Sequence, residues 1–394
     1  MIISIALLIV FGVSMLYSTT YTAWGEALLK RQLLWIGGGV ILAVFCAEFL
    51  DYHILGKHSY LIMGVFILLL SYLALANIIH HADFMNSDIA ASFPFVSGLH
   101  KGSARWFNFN YFSIQPSEFA KLGIIFFLAN YFMRHARNAG EFYRGFIKPL
   151  AVVGLVLILI LAGGDFSTTA IAGSVVMALS FIGGMRLRYL TILLLGGILL
   201  GSVFIYLNPE RLSRITSYQN PEEYQEGGSY QLWYSQLALG SGGWTGMGFT
   251  DSRLKHFYLP EAHTDFIAAI LGEELGFIGI LALMILYVLL LLSSFWIGFL
   301  AMDREGTMLA AGIGLLFAFH AFINLSVVSG FCPTTGVSAP FLSYGGSNII
   351  ASLLGAGILL NISRTTEKEA LANEYNSRSE PKREPLYKQK INSA

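Results

Sequence analysis

Long apolar runs alternate with short polar connections along almost the whole chain. About ten of these runs come close to the roughly 20 residues that an α-helix needs to cross a bilayer. Only 12% of the 394 residues are charged, which is about half the share of an average soluble domain. The pattern therefore predicts an all-α, polytopic membrane protein with about ten transmembrane helices. The predicted spans are 2–19, 31–50, 59–79, 115–133, 147–163, 166–184, 188–207, 264–300, 307–329 and 340–362.

Basic residues fall mainly in every second connection between these spans. Because lysine and arginine in short loops mark the cytoplasmic side of a membrane protein, both termini are predicted to be cytoplasmic. The connections 80–114 and 208–263 then face outward. The extracytoplasmic loop 208–263, between helices 7 and 8, is the largest polar segment, and long loops of this kind are usually functional or disordered. Its glycine-rich part, 240–248, is predicted not to be helical.

The chain divides into an integral membrane domain, 1–363, and a tail, 364–394. The tail carries both charges and few large apolar residues, so we expect it to be disordered on the cytoplasmic side. The net charge of the chain is zero, and nothing global indicates binding to nucleic acid. The two cysteines, Cys46 and Cys332, are far apart, which leaves no disulfide framework and no cysteine zinc site.

One stretch, from Leu259 to Gly276, concentrates ionisable groups where a polar loop enters a membrane span. If a helix begins near His263, Asp265 lies in its first turn, where the helix dipole favours a carboxylate. Ionisable groups at the mouth of a membrane span are costly and usually have a function. Acidic residues are also ordinary helix caps, so the residues alone leave a functional and a structural interpretation open. The groups are Glu261, His263, Asp265, Glu273 and Glu274.

A second set of charges lies in or beside apolar spans. Glu118 and Lys121 are three residues apart, so they share one face of a helix, and Asp165 lies at the outer end of the next pair of spans. A lone acid or base inside a membrane is expensive, so we expect these three side chains to neutralise one another. They serve either a substrate or a purely structural ion network.

Further polar groups are predicted on the outer side. Between the last two spans, the segment 331–347 contains Ser343 and has too much proline and glycine for a helix, so it forms a loop or a re-entrant turn. Carboxylates, cations and aromatic side chains at this depth suit a lipid-linked anionic substrate. The cations are Lys101 and Arg105 before the fourth span, and Arg211, Arg214 and Lys255 in the large loop.

Several motifs, in their order and spacing, resemble those of the SEDS family, the FtsW, RodA and SpoVE proteins of cell division and cell shape. The resemblance covers nearly the full chain and leans towards FtsW. The chain departs from the family pattern at Ala104, Gly164 and Ser338-Ala339 but keeps Asp265. The motifs are Arg105-Trp106, Gln115-Pro-Ser-Glu118 with Lys121, Leu237-Ala-Leu-Gly-Ser-Gly-Gly243, Leu259-Pro-Glu-Ala-His-Thr-Asp-Phe-Ile267, Gly272-Glu-Glu-Leu-Gly276, Pro333-Thr-Thr-Gly336 and Pro340-Phe-Leu-Ser-Tyr-Gly-Gly-Ser347.

This resemblance implies a peptidoglycan glycosyltransferase of the bacterial cytoplasmic membrane, which polymerises lipid II with undecaprenyl pyrophosphate as the leaving group. It also implies a class B penicillin-binding protein as transpeptidase partner, together with other divisome or elongasome membrane proteins. The family's essential aspartate maps onto Asp265, and its arginine before the fourth span onto Arg105. Its acid and base of the fourth span map onto Glu118 and Lys121, and its acid at the sixth span onto Asp165.

In such a reaction a sugar hydroxyl attacks an anomeric carbon, and the pyrophosphate is already a good leaving group. We expect Asp265 to be the base, or a ligand of an activating Mg²⁺ or Mn²⁺ ion. No nucleotide cofactor is expected, because the sugar donor is already lipid-linked. Two other functions stay open, a lipid II flippase and a non-catalytic scaffold for the transpeptidase. The expected substrate-binding residues are Lys101, Arg105, Glu118, Lys121, Asp165, Arg211, Arg214, Lys255, Glu261, His263 and Ser343.

Overall fold

The computed structural model describes residues 1–20, 26–81, 93–96, 103–109, 112–219, 229–255, 259–260 and 262–379. These residues form thirteen α-helices. In chain order they are α1 (Ile2–Thr20), α2 (Ala27–Phe49), α3 (Tyr52–Lys57), α4 (Ser59–His81), α5 (Pro116–Arg134), α6 (Lys148–Ala162), α7 (Phe166–Ile182), α8 (Leu187–Tyr206), α9 (Pro209–Gln219), α10 (Tyr230–Gly242), α11 (Ile267–Leu300), α12 (Arg304–Val328) and α13 (Gly346–Ser379). All except α3, α9 and α10 coincide with a predicted membrane span.

Within the described residues, eight helices are long and apolar enough to cross a membrane. The other two long helices are α7, which is apolar but has only 17 residues, and α5, which carries Glu118 and Lys121. Nearly all residues of α5 from Pro116 to Phe132 are buried, so neighbouring helices keep its charges away from lipid. The prediction of an all-α, multi-pass membrane protein is confirmed.

A short hairpin leads into α5. Strand β1 (Phe107–Phe109) pairs antiparallel with β2 (Phe112–Ile114), with Phe107 opposite Ile114. The helix then starts at Pro116, where proline is tolerated because the first N–H groups of a helix have no partner within it. One stretch of chain thus positions Arg105, just before the hairpin, and Glu118, just after it.

The predicted outer loop, 208–263, contains the two helices α9 and α10 among its described residues. Helix α10 ends at Gly242. The glycine-rich part of the loop is therefore irregular only from Gly243 onward, a shorter stretch than the predicted 240–248. Helix α10 packs along α11, so the loop is joined to the bundle by helix packing.

Helix α11 is bent near its start. At Gly276 the backbone leaves the helical region, with φ 67° and ψ −164°. The turn that follows α10 docks on this bend, and Met247 N donates to Glu273 O at 2.9 Å. A side-chain carbon at Gly276 would lie 2.4 Å from Gly246 N, so glycine satisfies both the positive φ and the close approach. The predicted span 264–300 therefore consists of a short helical piece before Gly276 and a long helical piece after it.

The segment between α12 and α13 is irregular up to Gly345, as its proline and glycine content predicted. Tyr287 on α11 holds this segment by donating its hydroxyl hydrogen to Pro340 O at 2.7 Å. Helix α13 begins at Gly346, six residues later than the start of the predicted span at 340.

Helix α13 also extends further than predicted. It continues to Ser379, although we expected a disordered tail from residue 364. The run Glu367-Lys-Glu-Ala-Leu371 consists of strong helix formers, which explains the extension. The prediction for 380–394 lies outside the described residues.

Candidate functional site

Asp265 lies in the turn just before α11, and it is partly exposed. Its backbone oxygen accepts a hydrogen bond from Asn324 Nδ2 at 2.8 Å. The same amide donates to Val337 O at 2.6 Å, so one side chain on α12 holds both the Asp265 turn and the loop after α12. Helix α11 begins at Ile267. Asp265 therefore precedes the first helical turn, whereas we expected it within that turn.

The carboxylate of Asp265 lies beside the loop between α12 and α13. A side-chain carbon at Gly336 would lie 3.4 Å from Oδ2 of Asp265. His263 contacts the same loop, because its backbone oxygen accepts from Tyr344 N at 3.0 Å. The two rings also meet edge-on, with centroids 5.7 Å apart. His263 thus orients the turn that carries Asp265.

Two arginines meet at the turn between α6 and α7. Nη2 of Arg105 and Nη2 of Arg211 each donate to the backbone oxygen of Gly164 at 2.6 Å. The guanidinium of Arg211 also lies over the rings of Phe166 and Phe204, at 5.5 and 4.9 Å, an arrangement that stabilises a cation. The turn thus brings two guanidinium groups together on one backbone oxygen.

The carboxylate of Asp165, next to this turn, accepts hydrogen bonds from neutral donors. Its Oδ1 accepts from Thr168 N at 3.2 Å and caps α7. Its Oδ2 accepts from Gln115 Nε2 at 2.8 Å and from Ser117 Oγ at 3.3 Å. The expected neutralisation of Asp165 by Lys121 is therefore wrong, since these donors satisfy the carboxylate instead.

The arginines and Asp265 are connected through the start of α7. Ser167 Oγ donates a hydrogen bond to the backbone oxygen of Thr335, which directly precedes Gly336. The arginine turn, the N-terminus of α7 and the loop beside Asp265 are thus linked in one chain of contacts. We call this set the Asp265 site, which consists of Arg105, Gly164, Arg211, Asp265 and Gly336.

A second polar cluster is buried inside the bundle. Lys121 Nζ lies 2.9 Å from Glu118 Oε1 and 2.7 Å from His320 Nε2. These side chains are almost inaccessible and line a small cavity between α5, α12 and α13. His320 was not predicted, because a lone histidine in an apolar span carries little signal. Its spacing of four residues from Asn324, which places both on one face of α12, is the signal that would have found it.

Lys255, predicted to bind substrate, is instead occupied inside the protein. Its buried ammonium group donates to Glu274 Oε1 at 2.8 Å, to Ser18 Oγ at 2.8 Å and to Thr250 O at 2.5 Å. These acceptors use all three donors of a lysine. Lys255 therefore anchors the large loop to α1 and α11 and does not offer its charge to a substrate.

The remaining predicted residues are less closely connected to the Asp265 site. Ser343 is buried, and its Oγ accepts from Ala339 N at 2.8 Å, which closes a turn in the loop after α12. Arg214 is exposed on α9, three residues after Arg211. Lys101 and Glu261 lie outside the described residues.

Comparison with known proteins places these features in a family. The FtsW/RodA/SpoVE profile, described as a cell cycle protein, matches residues 1–368. The chain belongs to the FtsW/RodA/SpoVE family. Stage V sporulation protein E of Bacillus subtilis (strain 168) is 38% identical over 372 residues, which cover 92% of this chain and 96% of that protein. The probable peptidoglycan glycosyltransferase FtsW of Geobacter sp. (strain M18) is 35% identical over 367 residues, which cover 90% of this chain and 93% of that protein.

A solved structure shares the fold of this FtsW/RodA/SpoVE protein. It is described as "Structural coordination of polymerization and crosslinking by a peptidoglycan synthase complex". One of its chains matches with a TM-score of 0.74 at 26% identity, covering 93% of this chain and 97% of the matched chain. The family predicted from the motifs is therefore confirmed over nearly the full length.

Proposed function

We propose that this FtsW/RodA/SpoVE protein is a peptidoglycan glycosyltransferase that polymerises lipid II into glycan strands. The observation that carries the proposal is the Asp265 site, where a partly exposed carboxylate and two arginines are linked through the start of α7. The name of the FtsW relative supports the same reaction. A base and fixed positive charge are what sugar transfer from a pyrophosphate requires.

In the proposed reaction, a hydroxyl group of one lipid II attacks the anomeric carbon of another. Asp265 accepts the proton of the attacking hydroxyl as a general base. The bond between the anomeric carbon and the pyrophosphate oxygen breaks, and the lipid pyrophosphate leaves with the electron pair. No acid has to protonate this leaving group, because a pyrophosphate is stable as an anion.

Arg105 and Arg211 bind the leaving pyrophosphate in this proposal. A guanidinium has five N–H donors in one plane, so Arg105 can keep its bond to Gly164 and still donate to an anion. Among the described residues no partner is found for the buried Nε of Arg105. Cations held in place before the reaction stabilise developing negative charge without reorganising.

A divalent cation is also part of the proposal, and Asp265 is the residue that would hold it. The only three metal-ligating side chains in the described part of the chain with ligand atoms within 4.8 Å of one another are His53, Asp303 and Glu305. They do not include Asp265. Asp265 would offer a carboxylate oxygen, the kind of ligand that Mg²⁺ and Mn²⁺ prefer. Such an ion would supply positive charge to the leaving group.

The proposal places the Asp265 site on the outer face of the cytoplasmic membrane and both termini on the inside. Three arginines support this orientation. Arg134 ends α5, Arg186 follows α7 and Arg304 begins α12, in each case at the end of the helix away from the Asp265 site. Basic residues at one face are typical of the cytoplasmic side.

The proposed partner is a class B penicillin-binding protein that acts as a transpeptidase. The similar solved structure comes from a synthase complex that combines polymerization with crosslinking. A glycosyltransferase that makes strands and a transpeptidase that crosslinks them act on consecutive products. Their association would keep the new strand close to the second enzyme.

The decisive experiment is a polymerisation assay with purified protein and lipid II, run with and without the transpeptidase. Asp265→Asn keeps the size of the side chain but removes its basicity. We expect its polymerisation rate to fall by about 10²–10⁴-fold, with unchanged thermal unfolding and partner binding. Asp251→Asn, at an exposed position of the same loop, is the matched control and should keep nearly the wild-type rate.

The outcomes separate the possible functions. Long glycan strands from the Asp265→Asn protein would remove Asp265 from catalysis. Movement of lipid II across a vesicle membrane without polymerisation by the wild-type protein would replace the proposal with a flippase. Activation of the transpeptidase by a chain that neither polymerises nor moves lipid II would indicate a scaffold.

A further inference from the structure

A polar cluster lies at the end of the bundle opposite to Asp265. Helix α11 starts two residues after Asp265, and its long piece after the bend at Gly276 ends at Leu300, a distance of about 36 Å at the rise of an α-helix. Asp303 and Glu305 follow at the start of α12, and His53 on α3 approaches them. The ligand atoms of these three side chains all lie within 4.8 Å of one another.

We propose that His53, Asp303 and Glu305 bind a divalent transition-metal ion, with Zn²⁺ or Mn²⁺ as the ion. An imidazole and two carboxylates are suitable ligands for both. His53 Nε2 is 3.6 Å from Asp303 Oδ2. This distance is close to the roughly 3.3 Å that separates two ligands of a tetrahedral ion with bonds near 2.0 Å. A small closure of the side chains would complete the site.

Two of the three ligands are already oriented by a second group. Asp51 Oδ1 lies 2.8 Å from His53 Nδ1, so with hydrogen on Nδ1 the Nε2 lone pair is left for a metal. Tyr52 donates its hydroxyl hydrogen to Asp303 Oδ1 at 2.5 Å. Such outer partners are typical of metal sites, because they fix the tautomer and the direction of each ligand.

Glu305 is the third ligand, and a positive charge beside its buried carboxylate would stabilise the ionised form. It is only 1% exposed, and its Oε1 accepts from the neutral amide of Asn130 at 3.0 Å. Within the described ranges no lysine or arginine forms an ion pair with it. A side-chain carbon at Gly56 would lie 1.6 Å from Oε1, so α3 leaves space for this carboxylate. A buried carboxylate without a cation is costly, and a metal ion would remove that cost.

The test is metal binding by the full-length purified protein after treatment with a chelator. Zn²⁺ and Mn²⁺ are titrated separately, and bound metal per chain is measured together with the melting temperature. We expect one ion of high affinity and a higher melting temperature when it is bound. His53→Ala should abolish both, and Asp51→Asn should weaken binding by about 10–100-fold as an outer partner.

Two controls make the result specific. His58→Ala removes a neighbouring exposed histidine whose ring hydrogen-bonds to Ile54 O, and it should bind metal like the wild-type protein. Asp265→Asn, titrated without lipid II, should keep the high-affinity ion, whereas a loss of that ion would place it at Asp265 and overturn the proposal. The proposal is overturned if the wild-type protein binds neither ion, or if His53→Ala binds them equally well. Should His53→Ala fail to fold, unchanged affinity of the Asp51→Asn protein would overturn it as well.

Discussion

The buried lysines and the arginines of the Asp265 site differ in the groups that accept their hydrogen bonds. Lys121 pairs with Glu118 at 2.9 Å and Lys255 with Glu274 at 2.8 Å, and all four side chains are nearly enclosed. Arg105 and Arg211 both donate to a neutral backbone oxygen, that of Gly164. A cation that is neutralised inside the fold contributes to structure. Arg105, whose buried Nε has no partner among the described residues, keeps a donor for a ligand.

Among the substitutions that test this comparison, Lys121→Met is expected to have the largest effect, which is a loss of stability. Removing the lysine leaves the Glu118 carboxylate buried without its partner, which costs about 3–5 kcal/mol of the free energy of unfolding. Thermal unfolding of the purified protein in detergent measures this loss. The double variant Lys121→Met/Glu118→Gln removes both charges and should recover most of the stability. An unchanged melting temperature of Lys121→Met would show that this pair is not a structural element.

The next effect concerns the two arginines. Arg105→Gln and Arg211→Gln should each lower kcat/KM for lipid II by about 10–100-fold, because a hydrogen bond to a charged group contributes about 1.5–3 kcal/mol. The melting temperature should change little in Arg105→Gln, because Gly164 O keeps its second donor, Arg211 Nη2. Polymerisation rates over a range of lipid II concentrations test this. A large loss of stability with unchanged kinetics would place the arginines in the same class as the lysines.

The smallest effect is expected from Arg214→Gln. Arg214 is exposed and lies on the same helix as Arg211, so it is a matched control for position and charge. Surface substitutions of this kind usually change stability by less than about 0.5 kcal/mol, and we expect the polymerisation rate to stay within about twofold, the equivalent of that energy. A loss as large as that of Arg211→Gln would extend the anion site along α9.

The ten long helices were predictable because an apolar run of sufficient length has few alternatives in a membrane. The two helices in the large loop were not predicted. α9 and α10 are short, and isolated helices of their length are marginal in water, so they depend on contacts with the bundle. The bend at Gly276 was not predicted either, because it depends on the close approach of Gly246 from a different part of the chain.

The partners of the charged residues were the least predictable part of the site. Lys255 lies in a polar loop like Arg211, but it contacts Ser18, 237 residues away in the chain. Asp165 is satisfied by Gln115 and not by a lysine, a choice set by how α5 and α7 pack. The sequence therefore allowed us to locate the charged residues relative to the spans. The partners that neutralise them could not be predicted, because those partners are set by tertiary contacts.

The bend at Gly276 has a mechanical consequence. Backbone hydrogen bonds tie the turn after α10 to both sides of the bend: Met247 N donates to Glu273 O before it, and Ile278 N donates to Trp244 O after it. The side chain of Trp244 projects from this turn with 75% of its surface exposed. The turn therefore acts as a rigid splint across Gly276, and it fixes the angle between the short helical piece that follows Asp265 and the long piece of α11.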